Sequence, residues 1–177
     1  MKVTLYMAMS VNGFVSKNAD DTNFVSSVSW DTFRNLAKQT GNMIVGGRTY
    51  DIMVENNEMT GLEGVKIFVV TRNGAMKTGP PNVTFTNRPP QDILLFLRQM
   101  GFKEALVAGG GKVNWMFIKE NAVDEIILDV EPIIFGRGTS LFSGQGFDVD
   151  LELIEAKPIA PNEVRLHYRV KRPPLPG

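Results

Sequence analysis

Apolar positions along the chain follow two rhythms, one of strands and one of helices. Val3 to Met9 reads as a strand ending in the turn Ser10-Val-Asn12-Gly13. Ser26 to Ser29 offers helix N-caps; Trp30, Phe33 and Ala37 then form an apolar stripe, and Gly41 stops it. Met43-Ile-Val45 predicts a buried strand that runs into Gly46-Gly47-Arg48-Thr49-Tyr50, where a second short helix starts. Val65 to Thr71 and Val83 to Thr86 are strands. Pro89 and Pro90 open a helix with Ile93, Leu94, Leu97 and Met100 on one side, closed by Gly101. A strand at Leu106, a helix carrying Val113, Met116 and Phe117, and a strand from Asp124 to Val130 follow. Leu151-Glu-Leu153 and Val164 to Val170 alternate with period two about a turn at Pro158 to Asn162, which predicts a closing antiparallel hairpin.

The resulting order, β-α-β-α-β-β-α-β-α-β-β-β, is that of an α/β fold: a mixed sheet of about eight strands flanked by about four helices. It places ligands at the carboxyl ends of the strands. One domain over residues 1–172 is expected, followed by a stiff Pro-rich tail at 173–177.

Composition narrows the partners. A chain of 177 residues buries roughly 70% of its unfolded surface and needs no staple. It has no cysteine, which excludes disulfides and thiolate chemistry and makes a reducing cytoplasm the simplest setting. Nineteen basic and nineteen acidic residues cancel, an argument against nucleic acid. Thr4, Ser10 and Asn12 interrupt an N-terminal apolar stretch too short for a signal sequence or a membrane span. Without cysteine or a second histidine, no transition-metal site is indicated.

The candidate chemistry lies at strand ends. Glu104-Ala-Leu-Val-Ala-Gly109-Gly110-Gly111-Lys112-Val113 takes an apolar strand through three glycines into a helix. Such a junction lets backbone N–H groups approach an anion, with the helix dipole and Lys112 adding positive charge. A plain tight turn explains the glycines too. Leu106 and Val113 exclude a Walker loop, and Asn114 excludes the G-x-G-x-x-G fingerprint. Gly46-Gly47-Arg48-Thr49 repeats the device about sixty residues earlier, and Thr71-Arg72 ends a third strand.

With these motifs in order, the chain resembles the dihydrofolate reductase superfamily, and most of all the riboflavin-biosynthesis reductase (RibD C-terminal) domain and its small stand-alone relatives. The matching segments are Met7-Ala-Met-Ser-Val-Asn-Gly-Phe-Val15, Met43-Ile-Val-Gly-Gly-Arg-Thr-Tyr50, Ile67-Phe-Val-Val-Thr-Arg72, Leu106-Val-Ala-Gly-Gly-Gly-Lys-Val113 and the run from Asp124 to Phe142. The resemblance implies a three-layer fold with a mostly parallel sheet, NADPH as cofactor, and hydride transfer to a C=N or C=O bond of a small heterocyclic or sugar-linked molecule. A pterin or a 5-amino-6-(5-phosphoribosylamino)uracil-like riboflavin precursor fits that description. It also implies that backbone groups of Ala8 and Val15 meet the nicotinamide carboxamide. Gly47, Arg48 and Thr49 then meet phosphates, Thr71 and Arg72 flank the 2′-phosphate, and Gly109, Gly110, Gly111, Lys112 and Val113 cradle the pyrophosphate. A cis peptide at Gly109-Gly110 is the family's habit, and homodimers are common among relatives.

For catalysis the resemblance points to Asp31, seventeen residues before Arg48, where folate reductases keep their active-site carboxylate. Asp31 is equally a first-turn aspartate favouring the helix dipole. Asn12 stands where riboflavin-pathway reductases carry an aspartate, and it cannot ionise. The folate-type Pro-Trp-x-Leu-Pro loop and tail-gripping arginine are missing; Asn23 to Ser27 and Val65 stand there. An NADPH-binding sensor without turnover is the alternative these departures allow. His167 is expected on the solvent side of the last strand, and Gly136-Arg137-Gly138 reads either as a substrate loop or as a turn.

Overall fold

The first strand, β1 (Lys2–Ser10), runs through the middle of the sheet, with Leu5, Tyr6 and Ala8 buried. A computed structural model describes residues 1–18, 20–72 and 78–172; the expected tail at 173–177 lies outside them. β2 (Phe14–Lys17) follows, then helix α1 (Ser27–Thr40), β3 (Asn42–Gly46), α2 (Gly47–Glu55), β4 (Lys66–Val70) and β5 (Val83–Thr86). The second half comprises α3 (Pro90–Gln99), β6 (Glu104–Val107), α4 (Gly111–Lys119), β7 (Glu125–Glu131), β8 (Gly138–Ser140), β9 (Leu151–Ala160) and β10 (Glu163–Val170).

Eight strands make one sheet in the order β5-β4-β3-β6-β1-β7-β10-β9. The first six run parallel, and β10 is antiparallel to both β7 and β9. One core layer joins Phe33 and Ala37 of α1 and Met53 of α2 to one face. The other joins Ile93 and Leu97 of α3 and Phe117 of α4 to the opposite face. This is the expected three-layer α/β fold. Among the described residues no helix is long and apolar enough to cross a membrane.

Local chemistry sets the element ends. Ser26 Oγ accepts from the Ser29 N–H at 3.2 Å and starts α1. Gly41, at φ +72°, donates to the Ala37 carbonyl and ends it. Pro90 sits in the first turn of α3, where a missing N–H costs nothing.

The chain departs from the expected pattern in four places. β2 and β8 pair with each other as a separate two-stranded ribbon that period-two reading passed over, because each is too short to show alternation. Met100 is 52% exposed, since it follows the last turn of α3 instead of facing the core. β9 continues through Pro158 to Ala160, so the turn is confined to Pro161-Asn162. Proline is tolerated there because β9 is an edge strand with β10 as its one neighbour. His167 is half-buried against Glu125, Nε2 to Oε2 at 2.9 Å, because both side chains share a face across the β7–β10 ladder.

Candidate active site

β3 and β6 are sheet neighbours, so their two glycine turns meet. Ala108 N–H donates to the Ile44 carbonyl (2.9 Å), Gly46 N–H to the Gly109 carbonyl (2.7 Å), and Gly110 N–H to Thr49 Oγ1 (2.9 Å). The Gly109-Gly110 peptide is cis, as the resemblance implied. Gly109 has φ +87°, and a methyl group on it would stand 2.6 Å from the Met7 sulfur. A methyl on Gly111 would strike the Ser140 carbonyl oxygen and the Ser143 hydroxyl. The fused turns therefore spend one expected anion donor, the Gly110 N–H, on themselves. Thr49 accepts that bond and keeps its own O–H to donate.

Above them lies a cleft of about 750 Å³. Helices α2 and α4 start at its floor, from Gly46 and Gly110, and neither is capped by a side chain. Gly47, Arg48 and Thr49 line it from α2; Thr71 and Arg72 follow β4. Gly110, Gly111, Lys112 and Val113 line it from β6 and α4, and Ala8 and Val15 from β1 and β2. Gly109 is not among the lining residues; it packs behind the turn against Met7.

Arg48 bridges Asp20 (Nη2 to Oδ2, 2.8 Å) and Glu55 (3.5 Å) across the cleft mouth. The Arg48 guanidinium holds the Asp20 carboxyl below the ordinary carboxylate range.

Asp31 and Asn12 stand apart from this assembly. The Asp31 side chain is 71% exposed on the outer face of α1, paired with Arg34 at 3.3 Å, and it does not line the cleft. One hundred degrees of helical rotation separate it from Trp30, which does. Asn12 braces its turn, donating to the Phe135 carbonyl (3.0 Å) and accepting from Ser10 Oγ (2.9 Å). Arg137 also lies outside the lining; its carbonyl accepts from the Asn18 N–H at 3.0 Å, continuing the β2–β8 ribbon by one pair.

The other half of the cleft is aromatic. Tyr6 stacks on Phe33 (centroids 6.5 Å apart), and Trp30 meets Phe33 edge-on at 5.7 Å. Tyr6 is fixed from beneath: its hydroxyl lies 2.7 Å from the Ser29 carbonyl and 2.8 Å from Asp129 Oδ2. Burial, then the Asp129 charge, pushes the phenol far above its ordinary pKa, so it stays protonated. Asp129, fully buried, is held by Arg165 through Nε (2.7 Å) and Nη2 (2.8 Å), and Arg165 also donates to Thr32 Oγ1 at 2.6 Å. Sequence reading passed over Asp129, although a carboxylate in the apolar run Ile126 to Val130 signals a buried partner. Glu58 was missed as well. It lines the cleft just beyond α2 in a loop with no motif to mark it.

A second buried acid lies near the start of α1. Glu131, 1% exposed, accepts from the Ser26 N–H at 3.1 Å, and Glu163 accepts from Ser26 Oγ at 2.7 Å. Burial pushes the Glu131 carboxyl above the ordinary range, with Glu163 acting in the same direction and the Ser26 and Ser29 bonds opposing. The folded protein therefore binds this proton more tightly than the unfolded chain. That stability is fully present below an ordinary glutamate pKa of about 4.3 and is lost as pH rises through the raised value. Glu131→Gln, always neutral, is expected to gain melting temperature relative to the parent between pH 4 and pH 7. A gap equal at both ends of thermal melts over that range rules the effect out.

Comparison with known proteins agrees with this architecture. The family model of the RibD C-terminal domain matches residues 1–164. The uncharacterized protein YwjB of Bacillus subtilis (strain 168) is 25% identical over 170 residues, 94% of this chain and 97% of its own. The diaminohydroxyphosphoribosylaminopyrimidine deaminase/5-amino-6-(5-phosphoribosylamino)uracil reductase of Thermotoga maritima shares the fold with a TM-score of 0.77 and 19% identity, over 96% of this chain and 56% of that one. Dihydrofolate reductase from Enterococcus faecalis, complexed with NADP(H) and RAB-propyl, shares it at 0.72 and 15% identity, over 97% of each. With its dihydrofolate reductase-like fold, the chain belongs to the RibD C-terminal domain family.

Proposed function

We propose that the protein is a cytoplasmic NADPH-dependent reductase that transfers hydride to a C=N or C=O bond of a small heterocyclic or sugar-linked substrate. The observation that carries this reading is the division of the cleft. Arg48, Arg72 and Lys112 and two uncapped helix N-termini gather at the ends of β3, β4 and β6, beside an aromatic half. A set of cations, hydroxyls and N–H groups suits a polyanionic dinucleotide. Bound there, NADPH would supply the hydride. The chain's own residues orient and exclude water: Ala8 and Val15 line the zone between the halves, and Tyr6, locked by Asp129 and Ser29, forms a rigid floor. A homodimer paired through the edge strand β9 belongs to the same proposal.

Fluorescence titration tests the cofactor. Arg72→Ala is expected to lose about tenfold or more in NADPH affinity while leaving NADH nearly unchanged. Asp20→Asn, which releases Arg48, should move NADPH affinity the other way. Equal affinity of the parent for the two dinucleotides would remove the 2′-phosphate assignment.

The second reading, an NADPH-binding sensor without turnover, is favoured by the position of Asp31 and Asn12 outside the cleft. NADPH binding with no cofactor oxidation across a panel of pterins and riboflavin precursors would establish it.

A further inference from the structure

The cations lining the cleft gather at one end, where Asp20 pairs with one of them, Arg48. Among the described residues its three cations, Arg48, Arg72 and Lys112, all stand at the glycine-turn end. Helix α2, nine residues and so about 13 Å long, leads away from that end to Glu58. There the Glu58 N–H donates to the Met53 carbonyl (2.7 Å), which tucks the loop back towards the helix. Asn56 Nδ2 donates to Glu58 Oε1 at 3.1 Å, with Oε2 left for another donor. The aromatic wall of Trp30, Phe33 and Tyr6 completes this half.

The nearby cation, Arg34, does not line the cleft. Its guanidinium lies 5.9 Å from the Trp30 ring centroid and is paired with Asp31. Among the described residues Glu58 is thus the one charged side chain lining this end, with Arg34 turned outward onto Asp31. Resting on the reductase reading above, we infer that the aromatic half takes a flat heterocycle bearing no phosphate, neutral or cationic, whose N–H donors face Glu58.

Burial raises the Glu58 carboxyl above its ordinary range, opposed by the Asn56 bond and the Arg34 charge. A cationic or N–H-rich ligand replaces the hydration that burial removes from this carboxylate, whereas a phosphate would add like charge beside it. The family member from Thermotoga maritima is named for a phosphoribosylamino substrate; the sign of the charges here separates this cleft from such a ligand.

Riboflavin and its 5′-phosphate, FMN, form a matched pair of probes, titrated by flavin fluorescence with saturating NADP⁺ covering the cationic half. Riboflavin is expected to bind about tenfold or more tighter than FMN. Glu58→Gln should narrow that ratio, and Glu58→Lys should reverse it. FMN binding as well as or better than riboflavin overturns the inference, as does failure of both flavins to bind the NADP⁺-loaded protein. Failure of NADP⁺ itself to bind instead overturns the reductase reading, so the two outcomes are distinct.

Discussion

Truncating Asp129 to alanine is expected to lower folding stability by about 3–5 kcal/mol, the loss typical of removing one partner of a buried ion pair. For a domain of this size that is a fall in melting temperature on the order of 10 °C. Asp129 joins three strands and a helix: it sits on β7, holds Arg165 on β10, meets Tyr6 on β1, and through Arg165 reaches Thr32 on α1. Its loss strands the Arg165 charge and leaves the Tyr6 hydroxyl with the Ser29 carbonyl alone. The double variant Asp129→Leu with Arg165→Met, which removes both charges, should recover more than half of the deficit. A single variant melting within about 2 °C of the parent would show that the network does not hold these elements together.

Gly111→Ala should damage both fold and site. The added methyl meets the Ser140 carbonyl, which is backbone and cannot swing aside, and the Ser143 hydroxyl. Ser143 N–H also donates to the Gly111 carbonyl at 2.9 Å, so α4 and the segment after β8 would be forced apart. Overpacking of this kind costs about 1–3 kcal/mol. Because Lys112 and Val113 move with Gly111, NADPH affinity should fall by about tenfold or more on the proposed reading. Gly110→Ala should be milder in packing, since its methyl meets only the Thr49 hydroxyl at 3.1 Å. Gly64→Ala, with nothing near, is the control. Calorimetry on the three variants orders them; equal behaviour of Gly111→Ala and Gly64→Ala would sink the argument.

Much of the frame was legible because its signals are local. Ser26 and Gly41 mark α1, Pro90 marks α3, and the apolar runs at Met43 and Leu106 mark the buried strands. The cationic half was legible for the same reason: a glycine turn followed by Arg48 or Lys112 is a contiguous pattern. Contacts made between distant segments were not. Asp129 meets Arg165 thirty-six residues away, and Asp20 reaches Arg48 across the cleft. Position along the chain put Asp31 on a helix that does line the cleft, but the rotation of that helix turned it to solvent and gave Trp30 and Phe33 the inner face. The second half of β9, from Ile154 to Ala160, escaped reading because the strand carries bulges. Its pairing with β10 skips Ile154 and Ile159, so apolar residues fall out of phase with period two.

That bulged strand also governs how the sheet can grow. A sheet can be extended by a strand from another molecule only where an edge leaves backbone groups unmatched, and the two edges here are unequal. β5 offers four residues, whereas β9 offers a run from Leu151 to Lys157 before Pro158 removes a donor. Leu151, Leu153 and Ile154 are exposed along that run. Two molecules that join through it face to face consume the long edge of both and leave only the short ones outward. Growth through this edge therefore terminates at a pair instead of propagating into a filament.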